Sequence, residues 1–296
     1  MQRREFAGLI PAAALGAGGS PFLKSICGGI FPPEMPLAEQ FRRARDAGFA
    51  GLEIRLGGEL PHDAPLEQAA RLAEEARRAG IAIVSLWVGQ ALSAAPLNHP
   101  DPEVRARGSA VIHQAIDLAR AMNCGALLIV PGRLGDGGKF IHGYQDTWDR
   151  VTAEFRKLIP HAARARVMLT PENVWNKFLV SPLEMRTFID QFSSPWLQSH
   201  FDIGNVMQFG YPQDWIQTLG PRIKRVHVKD YKLSRRAEQG RFADLLEGDV
   251  DWPSVMAALR KAGYRGFLSP EMGRRPEDPG YLEKVSKALD QILAMA

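Results

Sequence analysis

The sequence predicts one α/β domain of the (β/α)8-barrel class, and three observations predict it. Short apolar runs alternate with longer amphipathic stretches from residue 25 to the end of the 296-residue chain. Eight such runs and eight such stretches are found, which is the number of βα units in a closed parallel barrel. No Gly-x-Gly-x-x-Gly turn follows the first run, which argues against the alternative, an open doubly wound sheet. We therefore expect a single TIM-barrel domain over residues 22–296.

The predicted strands are the short apolar runs, and the predicted helices are the amphipathic stretches between and after them. The strands are expected at residues 25–31, 51–56, 81–89, 126–130, 167–172, 197–203, 223–229 and 266–270. The helices are expected at residues 37–47, 66–79, 102–122, 144–163, 182–191, 212–219, 253–262 and 280–296. Capping residues support three helix starts, because Asp101 and Ser181 each precede a proline and Asp251 precedes the helix that contains Pro253.

The first residues carry an export pattern rather than part of the fold. Arg3 and Arg4 are followed by Phe6 and then by a short, mildly apolar stretch rich in Ala and Gly. This order is typical of a twin-arginine signal peptide, which we place at residues 1–21. We expect a periplasmic or otherwise exported protein. If the Arg pair is a chance feature of a flexible N-terminus, we expect a cytoplasmic one.

Composition excludes several classes of protein. Lys and Arg total 37 against 33 Asp and Glu, and the resulting net charge of +4 is too small for this length to indicate a nucleic-acid partner. Two cysteines, Cys27 and Cys124, exclude a disulfide framework or a Cys-rich zinc module. No run of about 18 strongly apolar residues occurs, so we expect no membrane insertion of the mature chain.

Acidic residues and a histidine recur where four consecutive predicted strands end. In a barrel, the carboxyl ends of the strands meet at one mouth. Three carboxylates in one pocket repel each other unless a cation lies between them, and an imidazole completes a three-oxygen, one-nitrogen donor set. Such a set suits Mn²⁺, Mg²⁺, Co²⁺ or Zn²⁺. The sequence therefore predicts one divalent metal ion bound by Glu172, Asp202, His227 and Glu271.

These segments resemble the xylose-isomerase-like TIM barrels, the family of sugar phosphate isomerases and epimerases. The resemblance is closest to the ketose 3-epimerases and the L-ribulose/L-xylulose-5-phosphate 3-epimerases. It covers nearly the whole chain after the export pattern and is densest at residues 171–173, 201–205, 226–230, 247–252, 270–272 and 277–279.

The resemblance implies a metal-dependent isomerase of small sugars, with Mn²⁺ as the first choice of ion. Glu172 and Glu271 would also form an acid/base pair that inverts C3 of a ketose through a metal-stabilised enediolate. A dehydratase or lyase acting on a keto-sugar or keto-glycoside is the alternative on the same scaffold. A homodimer or homotetramer is expected.

Two departures from the family leave the substrate open. Free-ketose epimerases carry a His three residues after the metal-binding Asp and a Glu six residues after the first catalytic Glu. Here those positions hold Asn205 and Phe178. The nearest branch acts on phosphorylated sugars, whereas export implies unphosphorylated ones. An endonuclease-IV-like repair enzyme is disfavoured, because its multi-zinc site needs more strand-end histidines than His200 and His227.

Substrate contacts are predicted from strand alternation and residue chemistry. His200 shares a strand face with Asp202, and Lys229 shares one with His227. Tryptophan rings pack well on sugar C–H surfaces. A basic group in the last two βα loops, Arg235, Arg236, Arg241, Arg274 and Arg275, is placed where barrels often bind phosphate, and residues 231–250 are long enough for a lid. The expected substrate-binding residues are Glu53, Trp87, Trp175, His200, Asn205, Lys229 and Arg241.

Overall fold

The eight predicted strands and the eight predicted long helices all occur in the computed structural model of the chain, which describes residues 20–136, 138–234 and 239–295. The strands are β1 (Phe22–Cys27), β2 (Gly51–Arg55), β3 (Ala82–Trp87), β4 (Ala126–Ile129), β5 (Met168–Pro171), β6 (Ser199–Asp202), β7 (Ile223–Val228) and β8 (Gly266–Pro270). The helices are α1 (Leu37–Asp46), α2 (Leu66–Ala79), α3 (Pro102–Ala121), α4 (Tyr144–Ala165), α5 (Pro182–Asp190), α6 (Pro212–Leu219), α7 (Trp252–Lys261) and α8 (Tyr281–Ala294). Nearly all of the predicted export signal lies outside the described residues.

The strands form one parallel sheet that closes into a barrel. Their order is β5–β4–β3–β2–β1–β8–β7–β6, and each neighbouring pair is parallel. Bridges between Leu169 and Leu197 and between Glu172 and His200 join the two end strands. All eight strands therefore direct their carboxyl ends to one face, as the barrel prediction requires.

The first strand differs from its prediction, because it begins at Phe22 and ends at Cys27 rather than spanning residues 25–31. Residues Gly28–Ile30 form a 3-10 turn instead. A Cβ atom at Gly28 would lie 3.1 Å from the Glu53 carbonyl oxygen, so the chain passes β2 too closely for most other residues. This close approach brings Cys27 and Gly28 to the mouth of the barrel.

Helix caps occur where the sequence predicted them. The side chains of Asp101, Ser181 and Asp251 each accept a hydrogen bond from a backbone N–H in the first turn of α3, α5 and α7, respectively. Proline stands in the first turn of all three helices. These caps fix where each helix leaves its loop and so fix the loops that carry the mouth of the barrel.

The core has two layers. Outside the barrel, helix side chains such as Phe41 of α1, Phe155 of α4 and Phe188 of α5 are fully buried, and each contributes on the order of 1.5–3 kcal/mol through burial. Inside the barrel, polar groups are also buried, including Ser25 and Ser269, whose hydroxyl oxygens lie 2.5 Å apart. The apolar outer layer supports a polar interior on which a site can be built.

Two antiparallel hairpins extend the mouth and were not predicted. One pairs Gly135–Asp136 with Lys139–Phe140, and the other pairs Asp230–Lys232 with Arg241–Ala243. The second belongs to the insertion predicted as a lid, whose residues 235–238, with Arg235 and Arg236, lie outside the described residues. Within the described part of the chain, no helix has the length and apolarity needed to cross a membrane.

Candidate active site

The four predicted metal ligands converge at the carboxyl ends of β5 to β8. One ligand atom from each of Glu172, Asp202, His227 and Glu271 lies within 4.8 Å of the others. The His227 Nδ1 atom is 3.1 Å from Glu172 Oε1, 3.2 Å from Glu271 Oε2 and 3.7 Å from Asp202 Oδ2. The convergence expected from strand order is present.

The two glutamates are positioned by the sheet itself. The backbone N–H of Glu172 donates to the Ile129 carbonyl of β4, and that of Glu271 donates to the Val228 carbonyl of β7. Each bond continues the parallel ladder one residue beyond the end of the strand. Both side chains are therefore attached to backbone that the hydrogen bonds of the sheet hold in place.

Asp202 is held by its neighbours so that one carboxylate oxygen faces the cluster. Its Oδ1 atom accepts a hydrogen bond from the Asn205 backbone N–H at 2.7 Å. The side chain of Asn173 brackets its backbone, because Oδ1 accepts from Asp202 N at 2.8 Å and Nδ2 donates to Asp202 O at 2.9 Å. Asp202 Oδ2 is buried, and its nearest partners are cationic groups, the Lys229 ammonium at 3.1 Å and the His227 Nδ1 atom at 3.7 Å. A buried carboxylate oxygen that faces positive charge is suited to be a cation ligand.

Burial and charge set the ionisation of this cluster. Burial raises the pKa of Glu172 to about 7, although His227 opposes the rise. Burial also acts to raise the pKa of Glu271, but hydrogen bonding and charge from His227 and Lys229 outweigh it and hold that pKa well below its usual range. Burial would lower the pKa of His227, but the acids around it, Glu53 foremost, raise it well above the ordinary value.

Lys229 brings a second positive charge to the acids. Its Nζ atom lies 2.6 Å from Glu271 Oε2 and 3.1 Å from Asp202 Oδ2. Burial would lower the pKa of Lys229, but Asp202, Glu271 and Glu172 raise it above its usual value. Without an ion, the His227 ring and this ammonium compensate the three carboxylates. The donor set of three carboxylates and one imidazole fits a divalent cation.

A cavity of about 470 Å³ opens directly above the cluster. Glu172, His227, Lys229 and Glu271 line it, and Trp87 and Phe242 add aromatic surface. This volume lies within the range of about 300–1,000 Å³ typical of small-molecule pockets. Of the predicted substrate-binding residues, Glu53, Trp87 and Lys229 line this cavity.

Trp175 is not among the described residues that line the catalytic cavity. Its ring stacks on Phe242 with 4.9 Å between centroids and 15° between planes, and its Nε1–H donates to the Asn205 carbonyl at 2.9 Å. It contributes instead to a second cavity of about 450 Å³ with Phe140. Phe242, rather than the predicted Trp175, therefore lines the catalytic cavity with an aromatic ring.

Three further predicted residues also lie outside the cavity lining. His200 is buried beneath the cluster, with its ring centroid 4.2 Å from that of His227. Asn205 uses its side-chain amide to hold the Asn173 carbonyl at 2.9 Å. Arg241 is exposed on the hairpin. His200 contacts His227, Asn205 donates its backbone N–H to Asp202, and Arg241 lies on the hairpin away from the cavity lining.

Further residues of the cavity were not among the predicted substrate contacts, although Arg274 and Arg275 belong to the basic group expected where barrels often bind phosphate. Arg55 lines it while its guanidinium is held by Glu59, with Nη2 and Oε1 2.5 Å apart. Asp244 accepts from Tyr281 Oη at 2.6 Å and from Arg275 Nη2 at 2.7 Å, and all three residues line the cavity. Alternation along β2 could have identified Arg55, which lies two residues after Glu53. The Asp244 contacts depend on the hairpin and have no comparable signal.

The chain belongs to the xylose isomerase-like TIM barrel family, because the model of that family matches residues 41–292. A search of curated proteins by sequence finds no match. The structure is similar to that of an L-ribulose 3-epimerase, at 22% identity and a TM-score of 0.76, covering 92% of this chain and 94% of the other.

Two further solved structures are similar over nearly their whole length. A D-psicose 3-epimerase from Clostridium cellulolyticum H10, solved with D-tagatose, is 19% identical with a TM-score of 0.78 and coverage of 92% of this chain and 99% of the other. A 3-keto-D-glucoside 4-epimerase from E. coli is 16% identical with a TM-score of 0.72 and coverage of 93% and 100%. At these identities the likeness confirms the predicted barrel fold.

Proposed function

We propose that this protein is a divalent-metal-dependent sugar epimerase that inverts C3 of a ketose. The observation that carries the proposal is the placement of Glu172 and Glu271. They come from β5 and β8, each has a carboxylate oxygen within 3.2 Å of His227 Nδ1, and both line one small-molecule cavity. Two carboxylates that reach one cavity from different strands are suited to removing a proton from a substrate carbon and returning one to it.

Glu172, Asp202, His227 and Glu271 would hold the ion. When bound, it would supply Lewis-acid polarisation of the substrate carbonyl and stabilisation of negative charge on its oxygens. Mn²⁺ is the ion we expect at this site. Co²⁺, Mg²⁺ and Zn²⁺ are the alternatives, because each accepts some of the same carboxylate and imidazole ligands.

Glu271 is the group suited to remove the C3 proton, because Lys229 and His227 keep it ionised. Glu172, for which burial favours the protonated form, is suited to return a proton from the other face. Proton removal on one face and delivery on the other inverts the carbon. Asp202, whose Oδ1 atom is already engaged by Asn205, serves as a ligand only.

The arginines that line the cavity favour an unphosphorylated sugar over a phosphorylated one. Arg55 is neutralised by Glu59, and Arg275 is neutralised by Asp244, so two of the three arginines that line the cavity are already paired. Trp87 and Phe242 offer ring faces and edges for sugar C–H groups. The names of similar solved structures, L-ribulose and D-psicose 3-epimerases, agree with free ketoses as substrates of this chain.

The test is proton NMR of purified, Mn²⁺-loaded protein in deuterated water with free and phosphorylated ketoses. Epimerisation would replace the C3 proton by deuterium and yield the C3 epimer with no loss of water. Elimination products from a keto-sugar or keto-glycoside would establish the alternative, a dehydratase or lyase. Absence of exchange with every ketose, while a metal ion is bound, would refute the epimerase.

We also propose that residues 1–21 direct export by the twin-arginine route. The support is the Arg3-Arg4 pair with Phe6 and the small-residue stretch after it. Fractionation of cells that express the full chain tests this, with a variant carrying both Arg3→Lys and Arg4→Lys as the control. Export that is insensitive to this change would refute the route. Light scattering of the mature protein tests the expected homodimer or homotetramer.

A further inference from the structure

The imidazole of His227 faces carboxylates on both sides. Its Nδ1 atom faces Glu172, Asp202 and Glu271, and its Nε2 atom lies 3.0 Å from Glu53 Oε1. His227 is 1% exposed and Glu53 is 4% exposed, so neither contact exchanges with bulk water. The two nitrogens therefore have different partners: three acids lie near Nδ1, whereas Glu53 Oε1 is the closest partner of Nε2, and the Cys27 Sγ atom lies 3.5 Å from Nε2.

Glu53 is held from several directions by donors inside the barrel. The Ser85 hydroxyl donates a short hydrogen bond to Oε2, and the Cys27 thiol is 3.5 Å from Oε1. Parallel pairing fixes these neighbours, because Glu53 is in register with Cys27 of β1 and with Ser85 of β3. Its carboxylate is thus braced by both adjacent strands where it lines the cavity, and both of its oxygens are already engaged.

A carboxylate accepts hydrogen bonds and donates none. Nδ1 of a histidine must be unprotonated to bind a cation, and a neutral imidazole carries its one proton on the other nitrogen. Glu53 supplies the acceptor that keeps that proton on Nε2. Its place behind the ligand corresponds to the carboxylate–histidine–metal arrangement that orients many histidine ligands.

We propose that Glu53 is a positioning residue that holds His227 as the Nε2–H tautomer, with Nδ1 directed at the metal-binding carboxylates. The sequence predicted Glu53 as a substrate-binding residue. Both of its oxygens are engaged within the barrel wall, so it acts through His227. This inference rests on the proposed metal site and is independent of which sugar the enzyme converts.

The test compares Glu53→Gln with the wild type by titrating metal-free protein with Mn²⁺ in a calorimeter. The amide cannot serve as acceptor for His227, Ser85 and Cys27 together without presenting its NH2 group to one of them. We expect the Kd for Mn²⁺ to rise by about 10- to 100-fold. Ser85→Ala, which removes one brace of Glu53, should raise Kd in the same direction by less. If Glu53→Gln does not fold, the Kd of Ser85→Ala for Mn²⁺ tests the proposal in its place.

Glu154→Gln is the matched control. Glu154 is 2% exposed and is held by the Ser109 hydroxyl at 2.7 Å and by Lys157 at 2.8 Å, between α3 and α4. Like Glu53→Gln, this substitution removes one negative charge from a buried glutamate, but Glu154 does not contact His227. The Kd of Glu154→Gln for Mn²⁺ should equal that of the wild type. An equal loss of affinity in Glu154→Gln, or a wild-type Kd in Glu53→Gln, overturns the proposal.

Nitrogen-15 NMR of histidine-labelled, Zn²⁺-loaded protein gives a readout that needs no turnover. Zinc on Nδ1 leaves the single proton of His227 on Nε2, so the readout is the Nε2–H resonance itself: in the wild type it should be shifted downfield and exchange slowly, because Nε2 lies 3.0 Å from Glu53 Oε1. Glu53→Gln should move this resonance upfield, and an unmoved Nε2–H resonance refutes the role of Glu53. His227→Asn separates the two proposals: if it binds Mn²⁺ with the wild-type Kd, the metal site itself is refuted. If it loses the ion while Glu53→Gln does not, only the positioning role is refuted.

Discussion

The Lys229 ammonium lies 2.6 Å from the Glu271 carboxylate, and both groups line the catalytic cavity. Glu271 Oε2 is also 3.2 Å from His227 Nδ1, so two cationic groups meet one oxygen. Charge of this kind favours the ionised carboxylate and lowers its pKa. Lys229 thereby determines over which pH range Glu271 can accept a proton.

Removing this charge should change the pH profile of the enzyme. Lys229→Met takes away one of the two cations, so the pKa of Glu271 rises. Because the ionised form is required, the acid limb of kcat/KM should move to higher pH. The profile is measured with saturating Mn²⁺ from about pH 3.5 to 9, because the low pKa of Glu271 places the acid limb of the wild type below 4.5. Lys232→Met is the control, since Lys232 pairs with Asp249 at 2.6 Å on the hairpin. An unmoved acid limb in Lys229→Met would contradict the role assigned to Lys229.

Glu172 should be needed for turnover far more than for metal binding. In Glu172→Gln the amide oxygen can still ligate, and Asp202, His227 and Glu271 remain. The proton relay is lost, so kcat should fall by about 10²- to 10⁴-fold, the usual contribution of a general acid or base. Turnover and Mn²⁺ content are measured on the same preparation, with Glu154→Gln as a buried-glutamate control. Near-wild-type kcat in Glu172→Gln would remove Glu172 from the acid/base pair.

Strand order was enough to predict which four side chains converge. Glu172, Asp202, His227 and Glu271 stand at or near the ends of consecutive parallel strands, and closing the barrel places those ends around one mouth. This relation between strand order and the position of strand ends does not depend on the conformation of the loops. For the same reason Lys229, two residues beyond His227 on the same face, was correctly expected near the site.

Features that depend on tertiary geometry could not be predicted in this way. Whether Glu53 reaches the substrate or the back of His227 depends on the spacing across the barrel interior, which periodicity does not encode. Whether Trp175 or Phe242 walls the cavity depends on the hairpin that pairs Tyr231 with Phe242 across the insertion. The sequence showed the insertion as a long loop because its strands are only three residues each.

Asp230 should be the residue that secures this insertion to the barrel. Its buried carboxylate accepts hydrogen bonds from Leu246 N at 2.9 Å, Val250 N at 3.2 Å and Trp252 Nε1 at 3.1 Å. Asp230→Asn keeps the shape but replaces a charged acceptor by an amide with one accepting oxygen. We expect a loss of about 1.5–3 kcal/mol in the free energy of unfolding, typical of hydrogen bonds to a buried charge.

Urea unfolding followed by circular dichroism measures that loss. Asp249→Asn is the control, because Asp249 is also an acid of the insertion but lies at the surface, paired with Lys232. Its effect should be within about 0.5 kcal/mol of zero, as for most surface changes. If the two variants are equally stable, the hydrogen bonds of Asp230 do not secure the insertion.

A histidine pair on the outside of the barrel should make stability depend on pH. The Nδ1 atoms of His113 on α3 and His161 on α4 are 2.7 Å apart, and His161 Nε2 is 2.8 Å from Asp117 Oδ1. Burial lowers the pKa of His113, and the neighbouring His161 lowers it further. Protonated His113 is thus less favoured in the folded chain than in the unfolded one, where its pKa is about 6.5.

The sign of the effect follows from this difference. As pH falls through about 6.5, the unfolded chain binds a proton at His113 before the folded chain does, so the free energy of unfolding should decrease. The decrease should stop once pH falls below the lower, folded-state pKa. Urea unfolding at several pH values between about 5 and 8 measures it. His113→Gln should flatten the dependence, whereas the same change at the exposed His62 should leave it unchanged. Parallel curves for the wild type and His113→Gln would show that the histidine pair does not couple folding to pH.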